Sequence, residues 1–191
     1  MKKLKSLIGI TMGDAAGIGP EIICKMFLRK SYKKFCEILL IGDEDIFNRT
    51  IHHYKYSIRV RAVDQTEDVL LLKNNELGLI QIKDRINGNG FQPGRPNKAF
   101  GAAALKSVDT AVDLARHGKI DGIVTAPVNK EVVALTYKKF IGHTEYIAEK
   151  LKTDNFNMMM ASSKMKVTLV TTHTAIKDVA KNITKKKVIQ A

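Results

Sequence analysis

Short apolar runs alternate along the chain with stretches whose apolar positions recur every three or four residues. The first kind reads as buried strand and the second as helix. Leu7 to Thr11 is an apolar run of strand length, and the loop Met12 to Gly19 follows it. Pro20 stands where a helix begins, because a proline at the first helical position gives up no needed hydrogen bond. Glu21 to Leu28 continues that helix. Phe35 to Ile41 predicts a second strand, ended by Gly42-Asp43. A short helix and a strand near Ile58 to Val63 come next.

Between Asp64 and Pro96 the pattern breaks. Leu70-Leu71-Leu72 and Leu79-Ile80-Gln81-Ile82 precede the glycine- and asparagine-rich Asn87 to Gly94. Gly and Asn at that density mark turns, so this segment reads as an excursion from the main sheet. The clearest helix follows. Asn97 is a good N-cap. Phe100, Ala104, Val108, Ala111, Val112 and Ala115 share one helical face, and Gly118 supplies the stop. Ile120 to Thr125 predicts a buried strand, Thr144 a cap for a helix through Leu151, and Met158 to Ala161 and Val167 to Thr171 two more strands. Ile176 onward reads as helical. Strands alternating with helices predict an α/β fold with a largely parallel sheet.

The chain has 191 residues, of which 45% are apolar and 27% charged. That composition excludes disordered, collagen-like and coiled-coil classes. No apolar run approaches the roughly 18 residues that span a bilayer. The start Met1-Lys2-Lys3-Leu4-Lys5 lacks a following apolar segment long enough for a signal peptide. Cys24 and Cys36 read as reduced thiols, and the expected location is the cytoplasm. The formal charge is +13. The lysines are dispersed and no zinc-finger, helix-turn-helix or RNP spacing occurs, so nucleic acid is not the expected partner. An anionic small molecule suits the charge better.

Candidate chemistry sits after the predicted strands, where α/β folds gather ligands. Gly13-Asp14-Ala15-Ala16-Gly17-Ile18-Gly19-Pro20-Glu21 opens a helix, whose N-terminus attracts anions, although the same glycines also serve a plain tight turn. Thr125 and Lys130 lie just past a strand, where Lys130 is either a point charge for a carboxylate or phosphate or a solvated surface lysine. In Gly142-His143-Thr144-Glu145, either His143 and Thr144 bind substrate oxygens or Thr144 is a simple cap beside a surface histidine. His173, in Thr171-Thr172-His173-Thr174, follows an apolar strand and suits a metal ligand or general acid/base. His52 and His53 fall in a loop-like polar segment and His117 closes a helix, and all three read as surface residues.

In order, Gly9 to Glu21, Asp121 to Lys130, Phe140 to Glu145, Met158-Met159-Met160 and Val170 to His173 resemble the 4-hydroxythreonine-4-phosphate dehydrogenase family of pyridoxal phosphate biosynthesis. The resemblance runs essentially end to end. It implies a three-layer α/β/α fold of the isocitrate/isopropylmalate dehydrogenase type. It also implies a cleft active site near a dimer interface and oxidation of a phosphorylated hydroxy acid by NAD or NADP, followed by decarboxylation. A divalent metal (Zn, Mg or Co) assists in that family. By the same resemblance His143 and Thr144 contact substrate and His173 is a metal ligand, while no position emerges as a catalytic acid or base. A relative acting on erythronate or threonate 4-phosphate would carry the same blocks, and a non-catalytic remnant is the remaining alternative. Two departures stand out. Ala15 replaces a common proline. The family's chain also continues past the length of this one, where it supplies two further histidine ligands and a lysine, asparagine and arginine for the substrate phosphate. The expectation is therefore that residues 1–191 form the N-terminal portion of a two-domain dehydrogenase, homodimeric in full-length form and inactive alone.

Overall fold

The computed structural model describes residues 5–83, 86 and 91–191. The chain forms two compact units, the first running to His143 and the second spanning Thr144–Ala191.

The first unit is a parallel sheet. Its strands are β1 (Ser6–Thr11), β2 (Cys36–Gly42), β3 (Arg59–Ala62), β4 (Glu76–Gln81) and β5 (Gly122–Thr125), in the order β3-β4-β2-β1-β5. Ile10 pairs with Leu40 on one side and Val124 on the other. Helices α1 (Gly19–Arg29) and α2 (Glu44–Tyr54) connect strands in one direction along the sheet, and α3 (Lys98–Arg116) runs back the other way to β5. Right-handed crossovers therefore place α1 and α2 on one face and α3 on the opposite one, which makes three layers. The core is the filling between them. Leu39, Leu40 and Ile41 from β2 are fully buried, as are Ile46 and Phe47 from α2. Phe27 of α1 and Phe100 and Ala111 of α3 close the two faces.

Local chemistry explains the helix ends. Asn97 caps α3 by accepting from Ala99 N–H at 2.8 Å. Gly118, at φ +65°, donates its N–H to Ala115 O and stops the helix as its position predicts. Asp43 is fully buried between β2 and α2. Its Oδ1 accepts from Asp45 N–H at 2.9 Å, and its Oδ2 accepts from Ile86 N–H at 2.7 Å. One carboxylate thus caps a helix and anchors the chain beyond β4. Asp43→Ala is expected to cost about 2–4 kcal/mol, because two backbone donors lose their acceptor. Asp43→Asn should recover only part of it, because its amide keeps one acceptor oxygen and turns an NH₂ towards the other N–H donor, and urea unfolding of both variants checks the difference.

Several expectations are corrected here. The segment after Asp64 is no excursion: β4 lies inside the sheet between β3 and β2, with Leu77 and Leu79 buried. Leu70 and Leu71 end a 3₁₀ turn over Thr66–Leu71 and are exposed. The predicted turns at Asn87 to Gly90 lie outside the described residues. The strand predicted at Ile120 to Thr125 begins at Gly122 and is only partly buried, because β5 pairs with β1 alone and forms an edge. His52 and His53 belong to the last turn of α2, not to a loop.

In the second unit, β6 (Met159–Ala161) and β7 (Lys166–Thr168) form a two-stranded antiparallel hairpin separate from the parallel sheet. Helix α5 (His143–Leu151) opens at the boundary between the units, and α6 (Val179–Asn182) and α7 (Lys185–Gln190) follow the hairpin. Thr144 is the second residue of α5 rather than its cap. Both strands of the hairpin are largely exposed, as are Met160, Ile176 and Ile189. Among the described residues, no helix is long and apolar enough to cross a membrane.

Candidate functional site

The strand order reverses at β1. The chain leaves β1 for β2 on one side, and α3 delivers β5 to the other. Such a switch point is where open α/β sheets bind ligands. The loop after β1 and the loop Ala126–Asn129 after β5 meet there, with Asp14 N–H donating to Pro127 O at 2.9 Å. Asp14 Oδ1 accepts from Ala16 N–H at 3.0 Å, and Gly17 N–H donates to Asp14 O at 3.1 Å. The glycine-rich block is therefore a tight turn tied to its neighbour. Below it, Thr11 is fully buried, and its hydroxyl has no hydrogen-bond partner among the described residues.

Asn129 begins α4 (Lys130–Ala134) by accepting from Glu131 N–H and Val132 N–H at 3.0 and 3.2 Å. Lys130 stands exposed on the first helical position. The chain then turns back to His143, whose ring meets Phe140 edge-on at 5.9 Å. His143 Nε2 is buried without a partner among the described residues. Burial, and then the positive charge of Lys130, hold the imidazole below its ordinary range. His143 is thus held towards its neutral form at neutral pH.

In the second unit, Thr144 and Thr172 line one cavity of about 230 Å³, together with Asn155, Asn157 and Lys187. Two blocks that the sequence kept apart, Gly-His-Thr-Glu and Thr-Thr-His, here share a wall. The donors are two hydroxyls, three amides including that of Gln190, and one ammonium, while Glu145 and Asp154 add acceptors. Lys187 carried no signal in the sequence beyond a lysine run.

His173 does not line that cavity. It lies five residues past the end of β7, not directly after a strand, and it is exposed. Its φ is +53°, in the left-handed region that a non-glycine residue occupies only at a cost. Among the described residues, no three His, Cys, Asp or Glu side chains come together as metal ligands. A complete divalent-metal site is therefore not present in them. His173→Gly should be about 1 kcal/mol more stable than His173→Ala, because only glycine takes this φ freely. Equal stability of the two variants in chemical denaturation would show that the backbone is not held there.

A second cavity, of about 690 Å³, lies in the first unit beside Ala15–Gly17. Asp45, Asn48, Arg49 and His52 of α2 line it at helical spacing, opposite Phe91. The Arg49 guanidinium sits 5.9 Å from the Phe91 ring centre. Gly94 N–H donates to Ala16 O at 2.7 Å and ties that wall to the glycine turn. Sequence reasoning missed this row. Its only signal is the recurrence of polar residues at positions i, i+3, i+4 and i+7. The thiols carry no chemistry: burial pushes Cys24 up to about 12 and also raises Cys36.

A parallel α/β sheet with its loops joined at the switch point places the chain among α/β folds, which take small ligands above the strand ends. Residues 34–191 match the family model described as pyridoxal phosphate biosynthetic protein PdxA, and the chain belongs to that family. It is 36% identical over 181 residues to D-threonate 4-phosphate dehydrogenase of Cupriavidus necator, a match that covers 93% of this chain and 52% of the relative. It is 34% identical over 175 residues to 4-hydroxythreonine-4-phosphate dehydrogenase of Desulfosudis oleivorans, covering 92% and 51%. The crystal structure of a 4-hydroxythreonine-4-phosphate dehydrogenase from Burkholderia phymatum superposes with a TM-score of 0.86 at 32% identity, over 97% of this chain and 56% of that one. The expected α/β fold of this dehydrogenase family is therefore the fold observed. The chain spans about half the length of the curated relatives it matches.

Proposed function

We propose that this chain is the N-terminal portion of an NAD- or NADP-dependent dehydrogenase that oxidises 4-phosphohydroxy-L-threonine in pyridoxal phosphate biosynthesis. The observation that carries this reading is the family match across residues 34–191. The alternative substrate is threonate or erythronate 4-phosphate, favoured by the similarity to a relative named for D-threonate 4-phosphate. The substrate class is the same in each case: a secondary alcohol β to a carboxylate, with a phosphate at the far end.

A bound nicotinamide cofactor would supply the hydride acceptor for the alcohol carbon, and the hydroxyl proton would leave to a base or to water. The resulting β-keto acid then loses CO₂. Thr144 donates its hydroxyl to a substrate oxygen, and His143 offers the nitrogen that the fold leaves unpaired. The 690 Å³ cavity falls in the size range of small-ligand sites. Its aromatic ring, arginine and carboxylate suit the nucleoside half of the dinucleotide. His173 is proposed as one metal ligand, with the rest of that site supplied by residues outside this sequence. The net charge of +13 favours arrival of the anionic reactants. A homodimer in the cytoplasm completes the proposal.

The test uses the natural gene product, with its intact mass verified. Reduction of NAD and of NADP is followed with each of the three phosphorylated acids, plus zinc, magnesium or cobalt. Turnover is expected with at least one acid, and absence of turnover with all of them overturns the reading.

A further inference from the structure

The 690 Å³ cavity of the first unit is walled by α2, by the glycine turn after β1 and by Phe91. Its charged groups are not equally available. Glu21 accepts from Tyr54 Oη at 2.8 Å and from Lys25 Nζ, so its carboxylate is already in use. Asp45 and Arg49 stand one turn apart on α2, and neither forms an ion pair among the described residues. The Arg49 guanidinium lies 5.9 Å from the centre of the Phe91 ring. That ring is set in turn against Phe100, a buried residue of α3, with 5.8 Å between centres. A cation thus stands in the cavity wall over an anchored aromatic ring.

In dinucleotide-binding βαβ units, an acid roughly 20 residues beyond the glycine turn takes the ribose 2′-hydroxyl, or an arginine nearby takes a 2′-phosphate instead. Asp43, directly after β2, stands at about that place. Here it is fully buried, and its two oxygens accept from Asp45 N–H and Ile86 N–H. The fold has already used the acid that would read the hydroxyl. What lines the cavity from the following helix is Arg49. A guanidinium meets a phosphate through two parallel N–H···O bonds, a match that a single hydroxyl cannot make. Asp45 acts in the opposite sense, since its charge repels a phosphate. It is exposed, however, and the screened repulsion of an exposed carboxylate is smaller than a bidentate charge-assisted contact.

We propose that Arg49 selects NADP over NAD by holding the 2′-phosphate on the adenosine half of the cofactor. The ligand's identity rests on the dehydrogenase reading, whereas the selection rests on which charged groups of this cavity the fold leaves free.

Calorimetric titration of the natural gene product, at one fixed ionic strength, compares 5′-AMP, adenosine 2′,5′-bisphosphate and adenosine 3′,5′-bisphosphate. The two bisphosphates carry the same charge, so together they separate a placed phosphate from general attraction to a basic protein. The wild type should bind the 2′,5′-bisphosphate about tenfold or more tighter than either of the others, the scale of one charge-assisted hydrogen bond. Arg49→Met should remove that advantage and leave the affinity for 5′-AMP nearly unchanged. Arg49→Lys should keep part of it, because the charge stays and the fork is lost. The proposal is overturned if the wild type binds the 2′,5′-bisphosphate no tighter than the 3′,5′-bisphosphate. It is equally overturned if Arg49→Met weakens all three probes alike, which is the mark of a structural role, or if none of the probes binds. Turnover is scored separately. Selective binding of the 2′,5′-bisphosphate without turnover of any phosphorylated acid would sink the dehydrogenase reading and leave this selection standing.

Discussion

Gly13→Ala is expected to lower the stability of the first unit by about 2–5 kcal/mol, from two separate costs. Gly13 has φ +73°, where a residue with a side chain costs about 1–2 kcal/mol. A Cβ built on Gly13 would also lie 2.5 Å from Pro127 O and 3.0 Å from Ala126 Cβ. The nearest atom is backbone oxygen and cannot swing aside as a flexible side chain would. The two loops at the switch point would have to part, stretching the Asp14–Pro127 hydrogen bond. Forced overpacking of this kind costs about 1–3 kcal/mol. Gly118→Ala is the control, since Gly118 shares the positive φ, at +65°, but a Cβ there would meet nothing within 4 Å. It should lose only the conformational part, about 1 kcal/mol. Thermal and urea unfolding of both variants separate the costs. Equal losses would mean that the loops after β1 and β5 are not in close contact.

What was legible in the sequence was what local chemistry determines. Helix α3 begins after Asn97 and stops at Gly118 because a capping side chain and a positive-φ glycine act within a few residues of themselves. β1 and β2 were readable as apolar runs for the same reason. The place of β4 was not. Its Leu77 and Leu79 are buried by β2, β3 and the layers above and below, and that pairing is decided by chain far away in sequence. The segments around β6 and β7 read as strands, but nothing in them says that they pair with each other rather than with the large sheet. At the candidate site, His143, Thr144 and His173 came from ordered blocks resembling a family, not from any ligand spacing. The α2 row of Asp45, Asn48, Arg49 and His52 stayed hidden because polar residues at helical spacing are the ordinary outer face of any helix. Lys130 was visible as a charge after a strand, and the structure places it exposed at the start of α4.

The 191-residue species by itself is expected to show no dehydrogenase turnover and no tight divalent-metal binding. Catalytic zinc normally keeps three protein ligands and one open position. Among the described residues no such group of three exists, and His173 stands exposed on a strained backbone. One imidazole is too weak a site to hold zinc against water and competing buffer. The second unit also leaves apolar side chains uncovered, among them Met159, Met160, Met165 and Ile189, with Ile176 at 94% exposure. Exposed apolar side chains in this number recruit dye or a second copy of the chain. The charge of +13 opposes association only at low salt, because screening shortens its reach to about 8 Å at physiological ionic strength. Protein of verified mass should therefore bind a hydrophobic dye and associate increasingly as salt is raised, while zinc titration stays featureless. Reduction of NAD or NADP clearly above background from this species, with 4-phosphohydroxy-L-threonine and zinc, magnesium or cobalt, would refute the expectation. It would require a working site assembled from these 191 residues alone.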